Sequence, residues 1–237
     1  MGSSDERLPS RRGFLTGATL VAASQLVGPG LLSATTAPED SEEADVTPAE
    51  DLMREHGALN RLLLIYDEAV TRLESKKDFP PDVLAGAAGI IRRFIEEYHE
   101  KLEEDHLFPR FEKAGKLADL VGVLRQQHAA GRGLTRQIES GATASGLRNP
   151  SDRGKTVRSL KLFIRMYRPH EAREDTILFP TLRQIINLND YETLGDQFEA
   201  KEHELFGQDG FEGVVGQIAD LEKKVGLYDL ARFTPPA

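Results

Sequence analysis

Two stretches of this chain are versions of one another: residues 99–111 read HEKLEEDHLFPRF and residues 170–182 read HEAREDTILFPTL. Both open on His-Glu, carry a second Glu four residues after the His, and then reach Leu-Phe-Pro. An earlier histidine precedes each stretch at almost the same distance, His56 before the first and His128 before the second. A duplicated helical hairpin leaves this pattern, in which each copy supplies two histidines and a carboxylate. The repeat therefore predicts a two-metal site between two helical halves.

The spacing within each copy has a physical reason. Residues four apart lie on one face of an α-helix, so each His-x-x-x-Glu pair aims an imidazole and a carboxylate at the same point. A donor set of imidazole and carboxylate without thiolate suits iron or manganese, although zinc and copper also accept imidazole. Each of these glutamates has two oxygens and can bridge two cations, and the earlier histidine of each copy then completes one metal. The predicted metal ligands are His56, His99, Glu103, His128, His170 and Glu174.

This pattern resembles the hemerythrin-like proteins of the HHE cation-binding family, which are four-helix bundles with a non-haem di-iron centre. The four histidines, the two HxxxE pairs and the Glu-acid-x-x-Leu-Phe-Pro endings carry the resemblance, which covers roughly residues 49–183. It implies an all-α, up-down four-helix bundle over residues 47–183. It also implies a cofactor of two bridged iron ions, with the histidines as terminal ligands and the two glutamates as bridges.

One position departs from the family's oxygen carriers, which have a HxxxH pair on the third helix. Here Leu124 and Arg132 stand four residues before and after His128. Irons with fewer protein ligands have more positions open to water, oxygen or peroxide. The departure therefore favours redox reactivity or sensing over reversible oxygen carriage. Arg132 itself either pairs with a bridging carboxylate or reaches solvent.

Composition excludes several classes of function. The 237 residues include no cysteine, so the chain has no thiolates for a disulfide framework, a zinc ribbon or an iron–sulfur cluster. The formal net charge of −9 argues against nucleic acid or an anionic membrane surface as a partner.

The N-terminal segment predicts export. Residues 10–15 read SRRGFL, which resembles a twin-arginine signal, and a moderately apolar stretch follows to residue 32. Gly28-Pro29-Gly30 interrupts this stretch, which is too weak for a spanning helix but suits the apolar region of a signal peptide. We predict a signal peptide over residues 1–37, a disordered linker over 38–46, and a periplasmic or other extracytoplasmic location without stable membrane insertion after cleavage.

The remaining periodicity predicts four long helices, over residues 48–74, 82–107, 117–139 and 156–179. Pro109 is expected to stop the second, a Gly/Ser/Pro loop to occupy residues 141–154, and Pro169 to kink the fourth and open one side of the site. Two shorter helices, over 191–206 and 211–225, are expected to cover one end of the bundle within a C-terminal extension, residues 184–237. No stretch alternates with period two, so almost no sheet is predicted.

Other polar residues near the motifs have less support as ligands. His106 stands three residues after Glu103, a spacing that ferritin-like di-iron bundles use. Its counterpart in the second copy is Ile177, however, so the duplication favours a structural or surface role for His106. Glu100 and Glu171 match across the copies and are either spare ligands or solvated charges. The phenylalanines of the two Leu-Phe-Pro runs are expected to pack under the site.

The functional hypothesis is that the centre binds or senses dioxygen, peroxide or nitric oxide. A peroxide-reducing oxidoreductase is a competing interpretation, but the sequence shows no site for an electron donor. Two more interpretations compete with the binding or sensing hypothesis: an iron-binding or storage protein, and a metal-free structural bundle.

Overall fold

The computed structural model describes residues 46–235. The predicted signal peptide and residues 38–45 of the predicted linker lie outside this range. Within it, no helix combines the length and the apolar character needed to cross a membrane.

The described residues form seven α-helical elements, one short 3₁₀ helix (Leu230–Phe233) and no strand, which confirms the all-α prediction. The seven elements are α1 (Pro48–Glu74), α2 (residues 81–114), α3 (Ala118–Gly141), α4 (Ala144–Arg148), α5 (residues 150–185), α6 (Leu188–Phe206) and α7 (Gly210–Val225). Four of them are long helices that contact one another in a ring: α1 contacts α2 and α5, and α3 contacts the same two. Their inward faces form the hydrophobic core around the predicted ligands.

The start of α1 follows from its sequence. The side chain of Thr47 accepts a hydrogen bond from the backbone N–H of Glu50, whose carboxylate accepts one from the N–H of Thr47. This capping box satisfies two backbone donors that a helix start leaves without partners, and Pro48 fits the first helical position because it has no N–H. The predicted bounds, residues 48–74, are confirmed.

The prediction that Pro109 stops the second helix is wrong, and the fourth helix likewise runs beyond residue 179. In both helices a π-helical turn precedes the proline, Glu103–Leu107 in α2 and Glu174–Leu178 in α5. The proline then stands in the first turn of a new α-helical segment, where its missing N–H costs no intrahelical hydrogen bond. Helix α2 continues to Gly115, whose φ of 63° ends it.

Two further predictions about the fourth helix need correction. Most of the predicted loop over residues 141–154 is helical, because Asn149 caps a start at Pro150 and α4 lies just before it. The α-helical segment Pro150–Arg173 also runs through Pro169 without interruption. The irregular backbone of α5 lies further on, at the π turn that begins with the ligand candidate Glu174.

The C-terminal helices do not cover one end of the bundle as predicted. Helix α7 lies along the side of α1, where Arg54 contacts Glu212 near one end and Arg61 forms a double hydrogen bond with Glu222 further along. The inward side chains of α7 belong to the same core as those of α1 and α2. The extension therefore packs against the side of the bundle as part of the same helical domain.

Candidate metal centre

The structure brings all six predicted ligand residues together in the interior. Each is at most 4% exposed. Their donor atoms form two overlapping groups in which all atoms lie within 4.8 Å of one another: one contains Glu103, His128, His170 and Glu174, and the other His56, His99 and Glu103. All four long helices contribute, so the centre exists only in the folded domain.

Histidines of the same copy are neighbours. The Nε2 atoms of His56 and His99 are 3.1 Å apart, and those of His128 and His170 are 3.3 Å apart.

The two glutamates lie between these pairs. Oε2 of Glu174 is 3.3 Å from Nε2 of His56 and 3.1 Å from Nε2 of His170. Oε2 of Glu103 is 3.4 Å from Nε2 of His128 and 3.8 Å from Nε2 of His99. Each carboxylate therefore faces one histidine of each half, which is the placement that a bridging ligand requires.

Every one of the four histidines has an oxygen acceptor at Nδ1, on the side away from the centre. The acceptors are Asp175 for His56 at 2.7 Å, Glu55 for His99 at 2.7 Å, Glu104 for His128 at 3.1 Å and Gln127 for His170 at 2.9 Å. An imidazole that donates from Nδ1 directs the lone pair of Nε2 inward, and such outer acceptors commonly orient metal-binding histidines.

These acceptors repeat with the duplication. Glu55 and Gln127 each precede the early histidine of their copy and accept from the later histidine of the same copy. Glu104 and Asp175 each follow the central glutamate and accept from the early histidine of the opposite copy. The sequence carried this signal in the acid that follows both central glutamates, although the partner of that acid was not predictable.

The donor set fits a cation. All four oxygens of Glu103 and Glu174 are buried, and among the described residues no lysine or arginine pairs with either carboxylate. Unpaired buried carboxylates are costly unless a positive charge compensates them. Two imidazole pairs and two such carboxylates form a nitrogen and oxygen donor set of the kind that transition-metal ions accept.

The electrostatics favour positive charge at the same point. Burial alone would lower the pKa of His56, but Asp175 and Glu174 outweigh it and raise this pKa to about 10. Burial and the repulsion from Glu174 raise the pKa of Glu103 well above its usual range. Without metal, protons therefore partly compensate the buried carboxylates, so metal uptake displaces protons.

A second polar layer surrounds the half that contains His128. Arg132 contacts Glu100 at 2.9 Å and Glu104 at 2.6 Å, and neither of these carboxylates was predicted as a bridge. Tyr167 donates a hydrogen bond of 2.6 Å from its hydroxyl to Glu100. This network holds the acceptor of His128 in place, and no sequence motif pointed to Tyr167.

The equivalent layer in the other half is simpler. Glu171 accepts a hydrogen bond of 2.5 Å from Asn60, which stands four residues after His56 as Arg132 stands four residues after His128. Burial raises the pKa of Glu171 to about 8. Both Glu100 and Glu171 are buried, so their interpretation as solvated charges is wrong.

Aromatic rings pack against two of the predicted ligands, as expected for the phenylalanines of the two Leu-Phe-Pro runs. Phe179 stacks on His56 and Phe108 stacks on His128, with ring centroids 5.4 Å and 5.5 Å apart. His106 points elsewhere and contacts Phe198 of α6, in agreement with its structural interpretation.

Comparison with known proteins indicates a cation-binding domain over the same helices. The sequence model described as the Hemerythrin HHE cation binding domain matches residues 47–182. An uncharacterized protein of Mycobacterium tuberculosis is 46% identical over 207 residues, which cover 87% of this chain and 80% of the relative. An uncharacterized protein of Mycobacterium bovis is similar to the same extent. No solved structure matches the chain.

Proposed function

The chain belongs to the hemerythrin HHE cation-binding family, and we propose that it holds two bridged non-haem iron ions in an up-down four-helix bundle and binds or senses dioxygen, peroxide or nitric oxide there. The observation that carries this proposal is the burial of Glu103 and Glu174, which have no lysine or arginine partner among the described residues and face imidazole nitrogens of both halves. Such a set is costly unless cations compensate it.

The residues have distinct roles in this proposal. His56 and His99 would hold one ion, His128 and His170 the other, and the two glutamates would bridge them. Iron at this centre would supply redox chemistry and coordination positions open to a small ligand. The outer acceptors orient the imidazoles, and the aromatic rings stacked on two histidines exclude bulk water from the centre.

Metal content with an optical spectrum tests the proposal directly. We expect about two irons per chain in protein purified aerobically or reconstituted anaerobically with ferrous iron, with charge-transfer bands in the near ultraviolet. More than two irons per chain would favour storage. No uptake of any transition metal would leave a structural bundle.

A histidine substitution tests the ligand assignment. His99→Ala should lower the iron content below two per chain, because it removes one of two imidazoles in its half. His203→Ala, in α6 and outside the donor groups, is the matched control and should retain the full content. Full iron content in the His99→Ala protein would refute the assignment.

Peroxide reduction is the second candidate function. Open coordination positions would support it, and so would an electron donor bound near the centre. Steady-state peroxide turnover by iron-loaded protein with a chemical reductant decides between the two. An intact centre without turnover would exclude the oxidoreductase.

Export through the twin-arginine pathway is part of the same proposal. Ligands spread over four helices come together only after folding, and a pathway that carries folded proteins suits a cofactor loaded before export. A fusion of residues 1–45 to a folded reporter should reach the periplasm, and an Arg11→Lys, Arg12→Lys version should not. A fusion that stays in the cytoplasm would refute export.

A further inference from the structure

We propose that the groove between α3 and α5 binds a small molecule in which a phosphate group is joined to an aromatic or aliphatic body. The groove has a polar section of about 1000 Å³ and an apolar section of about 500 Å³. The two sections adjoin, because Gly133, Gln137 and Leu162 line both. None of the predicted metal ligands lines either section, so this is a separate site.

The polar section carries positive charge that the protein itself does not neutralise. Arg136, Lys155 and Arg158 line it, against the single carboxylate of Asp152, which pairs with Lys155 at 2.8 Å. Within residues 46–235, neither arginine has an ion-pair partner. On a chain with a net charge of −9 this is a local reversal of sign.

Unpaired arginines beside hydroxyl groups suit phosphate. A guanidinium group offers several N–H donors in a planar arrangement that matches phosphate oxygens. The hydroxyl groups of Ser140, Thr143 and Ser145 line the same space, and Ser140 together with one hydroxyl of the bonded Thr143–Ser145 pair can donate to a phosphate oxygen.

The apolar section specifies the rest of the ligand. Its lining includes Leu134, Met166 and Leu162, and the last of these is 48% exposed although it is a large hydrophobic residue. A wholly polar anion would leave this surface in water, and a wholly apolar ligand would leave the arginines without partners. A molecule with both parts uses both sections.

The groove ends close to the metal centre. Met166 lies four residues, or one helical turn, before His170 on α5. A redox-active ligand bound here would therefore stand near one half of the centre, where the oxidoreductase interpretation needs an electron donor. That donor role rests on the proposed function, whereas the binding does not.

Flavin mononucleotide is a suitable probe, since it joins a phosphate to an aromatic ring system and fluoresces. Titration of flavin mononucleotide with the full chain, with and without iron, should show saturable binding by fluorescence anisotropy. The Arg136→Glu, Arg158→Glu variant should bind about tenfold more weakly or worse. Lys113→Glu, Lys116→Glu makes the same change of charge at the far end of the bundle and should bind like the parent protein. Leu162→Asp tests the apolar section and should also weaken binding.

Two further ligands separate the possible sources of the phosphate. Riboflavin, which lacks the phosphate, should bind about tenfold more weakly than flavin mononucleotide. Arginine-dependent retention on phosphatidylglycerol vesicles, without flavin binding, would identify a lipid as the source of the same chemistry. Binding that is equal for both flavins, unchanged in the double arginine variant, or absent for both flavin mononucleotide and vesicles would overturn the proposal. Because these measurements do not require metal, their failure is distinct from failure of the iron proposal.

Discussion

Gly131 leaves the space that the polar network around the centre requires. A Cβ atom at this position would lie 2.0 Å from the hydroxyl oxygen of Tyr167, which donates to Glu100. Only glycine therefore leaves room for the tyrosine between α3 and α5. Because Tyr167 is buried and packed against Phe163, it has little freedom to move away.

We predict that Gly131→Ala destabilises the protein by about 1–3 kcal/mol, the usual cost of overpacking a core. Gly122→Ala is the matched control on the same helix, because nothing lies within 4 Å of the place that its added methyl group would occupy. It should stabilise the protein by about 0.5–1 kcal/mol through helix propensity alone. Urea unfolding of both variants provides the measurement, and equal effects of the two substitutions would show that Tyr167 is not constrained.

Glu96 is a buried carboxylate outside the donor groups, and it gives a prediction about pH. Burial raises its pKa above the usual 4.5, even though Thr135 donates a hydrogen bond to it. Above pH 4.5 the unfolded chain ionises this group while the folded protein resists doing so, which lowers stability as the pH rises through the folded pKa.

We therefore expect Glu96→Gln to stabilise the protein at pH 7, on the order of 1 kcal/mol, since the amide oxygen still accepts from Thr135 and carries no charge. The gain should disappear below about pH 4.5, where both states are protonated. Thermal unfolding between pH 4 and pH 8 measures it, with the exposed neighbour Glu97→Gln as control. A gain that is independent of pH would contradict this explanation.

The ligand candidates could be predicted from the sequence because the duplication repeats residue types at fixed spacing. Their outer acceptors were harder to predict. Glu104 and Asp175 hold histidines of the opposite copy, and that pairing depends on how the two halves pack. The sequence left two interpretations of Arg132, a pair with a bridging carboxylate or contact with solvent. In the structure it pairs instead with Glu100 and Glu104.

At the scale of elements, helix starts were more predictable than helix ends. The start of α1 depends on local capping, which the sequence displays directly. The continuation of α2 past Pro109 depends on the π turn Glu103–Leu107, in which the N–H of Phe108 bonds to the carbonyl five residues back. A π turn has no comparable sequence signal, so a proline that follows one resembles a helix terminator.

Helix α7 is expected to unfold together with the rest of the helical domain. It buries Ile218 completely, and Leu221 contacts the position of Gly86 on α2. If α7 is part of the helical domain, Ile218→Ala should cost about 2–4 kcal/mol in a single unfolding transition. Leu230→Ala, at a position that is 79% exposed, should change the stability little. A separate low-stability transition in the Ile218→Ala protein would show that the extension unfolds independently.

At the scale of the whole molecule, the metal centre and the fold depend on one another. The donors come from α1, α2, α3 and α5, and they are buried at the junction of these four helices. Without metal, the folded domain buries Glu103 and Glu174 at a cost that only protons offset, such as the one that the raised pKa of His56 keeps on its imidazole. Metal bound only by the folded state therefore adds its binding free energy to the stability of the domain.

We predict that metal loading raises the unfolding temperature and that a chelator reverses the rise. At a free metal concentration of one hundred times the dissociation constant, the gain is about 2.7 kcal/mol for each ion. The parent and His203→Ala proteins should both show the gain of two ions, while His99→Ala should lose the part that belongs to the ion in its own half, because that half keeps a single imidazole. Differential scanning calorimetry of metal-free and ferrous-loaded protein measures the difference. Identical unfolding temperatures with and without metal would mean that the buried carboxylates are compensated by protons alone, as the raised pKa values of His56 and Glu103 permit.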